Sequence, residues 1–247
     1  MIFVFLPALN EEIALPRLVK KFDLEFMKSG RAYKIIVLDD GSTDRTAETA
    51  QALSGRYPVE LLRHETNLGL GPTMRDGLVH CAKIASPDDL IVTLDCDDTH
   101  EPKFVHGAIQ KIKEGYDVVV LSRYQKGGGE RGLSLVKSAL SRGAGLLLKI
   151  FFPIKGVKEY SCGYRVFKAS ALQKALATFK DQFIRLPHMG FVVTPEILVK
   201  FRMLGCRIAE VPFVLRYDQK PSKSKNKPLK TIIGYLALVF LYWGRKK

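Results

Sequence analysis

The alternation of short apolar runs with stretches of helical spacing constrains this chain more than any other feature. Residues 2–6, 33–38, 59–62, 90–94 and 117–121 read as strands, and 11–26, 46–53, 73–85 and 102–114 as the helices between and after them. This order predicts the α/β class, with a mostly parallel central sheet flanked by helices, because parallel neighbours need a crossover and its right hand is close to obligatory. Two of the runs end in carboxylates: Leu38 leads into Asp39-Asp40-Gly41-Ser42, and Leu94 into Asp95-Cys96-Asp97-Asp98. Ligands of open α/β sheets sit beyond the carboxyl ends of the strands, so these acids are placed to hold a nucleoside and a divalent cation.

Beyond Arg123 the texture changes. Residues 125–132 are glycine-rich and polar, a mobile loop by expectation, and 133–152 form an apolar and basic helix. Residues 164–167 return to the sheet, 195–204 form a helix with Thr194 as cap and Pro195 in the first turn, and 208–214 make a late strand. The lysine-rich stretch 220–230 reads as a linker to an apolar segment, 231–243. A spanning helix needs about 20 residues, so this shorter segment fits a re-entrant, interfacial or protein-buried helix. The expected organisation is a catalytic domain over 1–219 and a basic linker with a short membrane-associating helix over 220–247.

A formal net charge of +14 implies an anionic partner: nucleic acid, a membrane surface or a phosphorylated substrate. Nucleic acid leaves both acidic strand ends unexplained, since they repel phosphates without a metal, and no aromatic stacking platform is visible. A nicotinamide enzyme is disfavoured because Pro7-Ala8-Leu9-Asn10, not a glycine triplet, follows the first strand. Cys81, Cys96, Cys162 and Cys206 have no metal or redox spacing and read as reduced thiols. The early Pro7, Asn10, Glu11 and Glu12 do not fit a secretory leader. Together these features predict a cytoplasmic protein, peripheral on the cytoplasmic face of a membrane.

Asp95 and Asp97 are alternate residues of an extended segment and share a direction, so both can face one cleft. Mg²⁺ suits such a pair, because it takes one or two carboxylates and completes its shell with water and phosphate oxygens. Asp39 and Asp40 carry two readings, a nucleoside contact, for which Asp39 is the better placed, and a turn whose helix is capped by Ser42 or Asp44.

Seven motifs in order resemble the family 2 glycosyltransferases of the GT-A fold, a Rossmann-like nucleotide-sugar-binding architecture, and within them the polyprenyl-phosphate (dolichyl-phosphate) hexosyltransferases. They are Leu6-Pro7-Ala8-Leu9-Asn10-Glu11, Asp39 to Asp44, Asn67-Leu68-Gly69-Leu70-Gly71 and Asp95-Cys96-Asp97. Ser122-Arg123-Tyr124 with Gly127 to Gly129, Ser161 to Arg165, and Glu210-Val211-Pro212 followed by Arg216 and a Ser-Lys pair complete the set. The resemblance implies that Pro7, Leu9, Glu11, Asp39, Asp40, Gly69 and Gly71 line the nucleoside pocket, and that Asp95 and Asp97 bind Mg²⁺ or Mn²⁺ with the donor diphosphate. It places Arg123, Lys137 and Arg216 on the phosphates of donor and acceptor, with Ser222 and Lys223 near them.

The chain departs from the pattern at three places. Thr99 stands where the family has a glutamine and is carried as the third metal position. Lys137 replaces an arginine and loses its bidentate fork. The final Ser-Lys spacing is longer, so Ser222-Lys223 and Ser224-Lys225 compete for that role. The implied reaction moves a hexose from GDP-mannose or a UDP-hexose to a polyprenyl phosphate, with inversion. The acceptor phosphate is largely dianionic near pH 7 and needs no strong base. A sugar-hydroxyl acceptor, as in cell-surface polysaccharide synthesis, would need a base, for which Glu159 and Glu196 are the candidates. His100 is noted because it follows the metal motif.

Overall fold

A computed structural model describes residues 1–221 and 228–243. Its first half runs β1 (Ile2–Ala8), α1 (Ala14–Lys28), β2 (Tyr33–Asp40), α2 (Thr46–Ser54), β3 (Val59–His64), α3 (Leu70–Ile84), β4 (Leu90–Thr93), α4 (Val105–Lys113) and β5 (Val118–Ser122). The second half holds β6 (Gly129–Arg131), α5 (Leu135–Phe151), β7 (Arg165–Lys168), α6 (Ala169–Phe179), α7 (Val193–Met203), β8 (Ile208–Pro212), β9 (Val214–Arg216) and α8 (Pro228–Tyr242).

Seven strands form one sheet in the order β3-β2-β1-β4-β7-β5-β8. Every pairing is parallel except those of β7, which is antiparallel to both β4 and β5. The chain winds from β1 outward through β2 and β3, then crosses back to β4 on the other side of β1. Strand order therefore reverses between β1 and β4, and the crevice at their carboxyl ends is where such sheets take ligands.

Both faces of the sheet are covered, which is why its strands read as continuous apolar runs. Phe3, Phe5, Ile36 and Leu38 face one core with α3, α6 and α7, whereas Val4, Leu6, Ile35 and Val37 face the other with α1 and α4. Full burial of each such side chain contributes about 1.5–3 kcal/mol. Gly77 lets α3 close onto β1, since a Cβ there would fall 2.0 Å from Phe5 Cζ.

Four local differences from the sequence expectation have physical reasons. The loop at 125–132 contains β6, which pairs in parallel with β9. The late strand divides at the buried Phe213, so that β8 stays in the main sheet and β9 joins β6. Helix α7 begins at Val193, which puts Thr194 and Pro195 inside its first turn, where proline's missing N–H costs nothing. Helix α6, not anticipated from the sequence, follows β7 without an intervening turn residue and has no side-chain N-cap; the Ala169 and Ser170 N–H groups donate instead to the Asp89 and Pro87 carbonyls.

The apolar C-terminal segment does form a helix, and it packs on the body. Tyr235, Leu238 and Tyr242 of α8 are buried in the first core, and the Tyr242 hydroxyl donates to Glu196 Oε1 at 2.6 Å. Gly234 permits this approach, because a Cβ there would meet Val192 Cγ2 at 2.3 Å. Among the described residues no helix is long and apolar enough to cross a membrane.

Candidate active site

A cleft of about 1070 Å³ opens at the carboxyl ends of β1 and β4. Pro7, Leu9 and Glu11 reach it from the end of β1, Asp40 from β2, Leu68 and Gly69 from the glycine turn, and Asp95, Asp97, Thr99 and His100 from the segment after β4. Arg123, Lys137 and Lys220 supply cationic groups to its walls. Leu133, Leu140 and Ala144 continue one wall as an apolar surface, with Phe191, Ile232 and Tyr235.

At the β2 end the carboxylates build structure. Asp40 accepts hydrogen bonds from the Leu68 N–H at 3.0 Å and the Gly69 N–H at 2.8 Å, and faces His64 Nδ1 at 2.8 Å. The buried Asp40 therefore holds the glycine turn against the strand. Asp39 lies outside the cleft walls and is wholly buried. Its Oδ1 accepts from the Ser42 N–H at 3.2 Å, while its Oδ2, with no hydrogen bond, lies 3.3 Å from Arg63 Nε. Gly71 also lies outside the walls; a Cβ there would strike the Pro187 carbonyl at 2.1 Å, so its role is close packing. Asp44 accepts from the Thr46 N–H at 2.9 Å, and the Ser42 hydroxyl accepts from the Asn10 N–H at 2.8 Å. The turn duty thus falls to both, though neither is the helix cap itself.

At the β4 end the groups are arranged for a cation. Asp95, Asp97 and His100 bring one donor atom each to within 4.8 Å of one another. Thr99 turns toward Asp97, donating from its hydroxyl at 2.6 Å and its N–H at 3.2 Å to Oδ1. Lys220 Nζ contacts Asp97 Oδ2. Burial raises the Asp95 carboxyl above its ordinary value, with Asp97 adding to the rise against the charges of His100, Lys220 and Arg123. Burial works the same way on Asp97, but the Lys220 charge, His100 and the Lys220 and Thr99 hydrogen bonds outweigh it and leave that carboxyl lowered. The two carboxyls are thus pushed in opposite directions, as two close like charges require. Burial holds the His100 imidazole below its usual value despite both aspartates. Two carboxylates and a buried imidazole form a donor set that fits a divalent cation.

The cations expected to face phosphates differ in how they are held. Arg123 donates to Glu159 through Nε at 2.7 Å and Nη2 at 2.9 Å, reaches Ser141 and Ser161, and pairs with Glu130 at 3.1 Å. Burial alone would lower its pKa, but Glu159 overrides that and raises it. Lys137 Nζ donates to the Tyr217 hydroxyl at 3.0 Å. Arg216 is outside the cleft walls: its guanidinium pairs with Asp218 at 2.9 Å, while its N–H donates to the Thr99 carbonyl at 2.9 Å and so braces the metal segment. Ser222 and Lys223 lie outside the described residues.

Arg165 is structural, wholly buried and donating to the Thr194 and Tyr160 carbonyls, with burial lowering its pKa to about 10. Lys220 is the residue that sequence reasoning missed. It sits among five lysines between 220 and 230, and nothing local separates it from the others.

The fold and the site together define an α/β architecture with a mostly parallel sheet and an acidic cleft at its carboxyl ends. The family model for glycosyl transferase family 2 matches residues 3–184, and the chain belongs to that family. It is 33% identical over 239 residues to a dolichol-phosphate mannosyltransferase of Pyrococcus furiosus, covering 96% of this chain and 62% of that protein. It is 30% identical over 199 residues to an undecaprenyl-phosphate 4-deoxy-4-formamido-L-arabinose transferase of Pseudomonas aeruginosa, covering 77% of this chain and 54% of that one. This chain therefore spans less than two thirds of the length of these two relatives. Among solved structures, glucosyl-3-phosphoglycerate synthase of Mycobacterium tuberculosis, in complex with Mn²⁺, uridine diphosphate and phosphoglyceric acid, has the same fold. The TM-score is 0.64 at 23% identity, over 97% of this chain and 78% of that one. A further structure of that synthase holds Mg²⁺ and uridine diphosphate.

Proposed function

We propose that the protein transfers a hexose from a nucleoside-diphosphate sugar to a polyprenyl phosphate, with inversion at the anomeric carbon. The observation that carries this reading is that one cleft is lined by three kinds of surface. Asp95 and Asp97, the cations Arg123, Lys137 and Lys220, and apolar side chains of α5 and α8 share its walls. An anionic headgroup on a hydrocarbon chain matches that combination of surfaces. The names of the Pyrococcus and Pseudomonas relatives support the same acceptor class.

In this reading Pro7, Leu9, Glu11 and the turn held by Asp40 receive the nucleoside, and Asp95 and Asp97 hold Mg²⁺ or Mn²⁺ at the diphosphate. The cation, when bound, offsets the negative charge that grows on the leaving diphosphate. Lys137 and Lys220 draw the acceptor phosphate toward the donor against their mutual repulsion. Arg123, already paired with Glu159 and Glu130, fixes the wall behind the diphosphate and adds positive potential there.

A sugar-hydroxyl acceptor has less support. Glu159 is bound to Arg123, and Glu196 accepts from the Arg185 and Leu186 N–H groups and from Tyr242. Neither lies in the cleft walls, so the two bases that reading relied on are engaged elsewhere.

The exposed faces of α5 and α8 are apolar: Leu135, Val136, Leu146 and Ile150 on one, Ile233, Leu236, Phe240 and Trp243 on the other. Phe151 and Trp243 pack edge to face between the two helices, with ring centroids 5.6 Å apart. We read this joint face as a peripheral contact with the membrane that carries the acceptor. Lys137, Arg142 and Lys149 add basic groups on α5, of the kind anionic lipids attract. Deleting α8 would disturb the buried Glu196, so Leu135→Ser with Phe240→Ser is the cleaner variant. Flotation with anionic vesicles should lose most of the bound protein; unchanged flotation would reject this face. For the reaction, a panel of nucleotide sugars with polyprenyl phosphate and either cation is scored by nucleoside diphosphate release. No release with any lipid phosphate would overturn the acceptor assignment.

A further inference from the structure

We propose that His100, rather than Thr99, is the third protein ligand of the cation at Asp95 and Asp97, and that this nitrogen donor makes the site prefer Mn²⁺ to Mg²⁺. The proposal rests on the reading of those two aspartates as a cation site and adds to it the ligand that sets selectivity.

His100 is fixed in place before any cation arrives. Its ring stacks on Phe213 with centroids 5.4 Å apart and meets Tyr164 edge-on at 5.4 Å, and the residue is 3% exposed yet reaches the cleft wall. The hydrogen-bond contacts of the ring nitrogens among the described residues are long, Thr99 Oγ1 at 3.4 Å from Nδ1 and Cys162 Sγ at 3.7 Å from Nε2. Its donor atom lies within 4.8 Å of those of Asp95 and Asp97, close to the roughly 4 Å that separates opposite ligands of a six-coordinate ion bound at about 2.1 Å. Thr99 is already committed, its hydroxyl proton on Asp97 at 2.6 Å and its carbonyl receiving the Arg216 N–H. It orients Asp97, while the imidazole completes the set.

Selectivity follows from the donor type. Mg²⁺ is hard, oxygen-seeking and slow to shed water, whereas imidazole nitrogen suits first-row transition ions. A purely oxygen set would leave the two ions closer in affinity. Replacing an oxygen donor with an imidazole tilts the balance toward Mn²⁺.

Pulsed electron paramagnetic resonance of Mn²⁺ bound to the purified full chain tests this without any turnover. Directly ligated imidazole should appear as ¹⁴N modulation, which shifts when the protein is made with ¹⁵N-histidine, a change that leaves the packing of His100 untouched. His100→Gln should remove the modulation and lower the Mn²⁺-to-Mg²⁺ affinity ratio on the order of tenfold or more, since losing even an outer partner costs about 10–100-fold. His188→Gln, altering the other histidine of the described cleft wall, should keep the modulation. Mn²⁺ binding that requires Asp97 but shows no nitrogen coupling would overturn the His100 assignment alone. Binding that is the same in wild type and Asp97→Asn would overturn the underlying cation site as well.

Discussion

The two acidic strand ends share a local pattern and do opposite work. At the end of β2, Asp40 has three close donors or polar partners in Leu68, Gly69 and His64, and it holds a turn. After β4, Asp95 and Asp97 face each other with a lysine and an imidazole, and their two carboxyl groups are pushed in opposite directions. A carboxylate surrounded by N–H groups is structurally complete. A pair of carboxylates that must borrow a lysine is incomplete, and that incompleteness is what a divalent cation answers. Carboxylates at strand ends are thus not equivalent, and their partners separate scaffold from chemistry.

The largest test of that contrast is Asp97→Asn. Turnover should fall by about 100-fold or more, since lost electrostatic stabilisation of a developing charge commonly costs that much, while far-ultraviolet circular dichroism stays unchanged. A marked loss of folded signal would place Asp97 with the scaffold instead. Asp40→Asn should invert the pattern, lowering stability by about 1.5–3 kcal/mol through weakened charge-assisted hydrogen bonds. Urea unfolding measures this, and unaltered stability would break the comparison from the other side. Lys220→Met removes the cation now sitting on Asp97, so Mn²⁺ should bind several-fold more tightly by calorimetry while turnover with lipid phosphate declines. Weaker Mn²⁺ binding in that variant would mean that Lys220 supports the cation rather than stands in for it. The smallest effect belongs to Tyr242→Phe, which takes one donor from the buried Glu196 and should cost about 1 kcal/mol of stability. A thermal scan should show a shift of a few degrees and little change in activity.

Much of this was legible in the chain itself. The parallel half of the sheet could be read because strands covered on both faces are apolar throughout, and Phe3-Val4-Phe5-Leu6 shows it plainly. The direction of β7 could not, since a four-residue run such as Arg165–Lys168 reads the same whether it enters between β4 and β5 parallel or antiparallel. The acidic site was legible as a site, but the division within it was only partly so. Adjacent strand residues point to opposite faces, so Asp40 meets the cleft and Asp39, which the sequence favoured for that contact, does not. Thr99 stood in the family's third ligand position, yet its short side chain reaches Asp97, and the next residue presents the longer donor. Arg216 carried a family-implied role on the phosphates, and its guanidinium is paired with the nearby Asp218. Lys220 had no sequence signal because tertiary placement alone distinguishes it from its lysine neighbours.

Helix α8 has one further consequence. Its inner edge holds Glu196 through Tyr242, and Glu196 in turn accepts from the N–H groups of Arg185 and Leu186, immediately before Pro187 and His188 in the cleft wall. Its outer edge carries Phe240, almost fully exposed. A short chain of hydrogen bonds therefore joins the helix that carries this exposed edge to the segment that lines the cleft at Pro187 and His188.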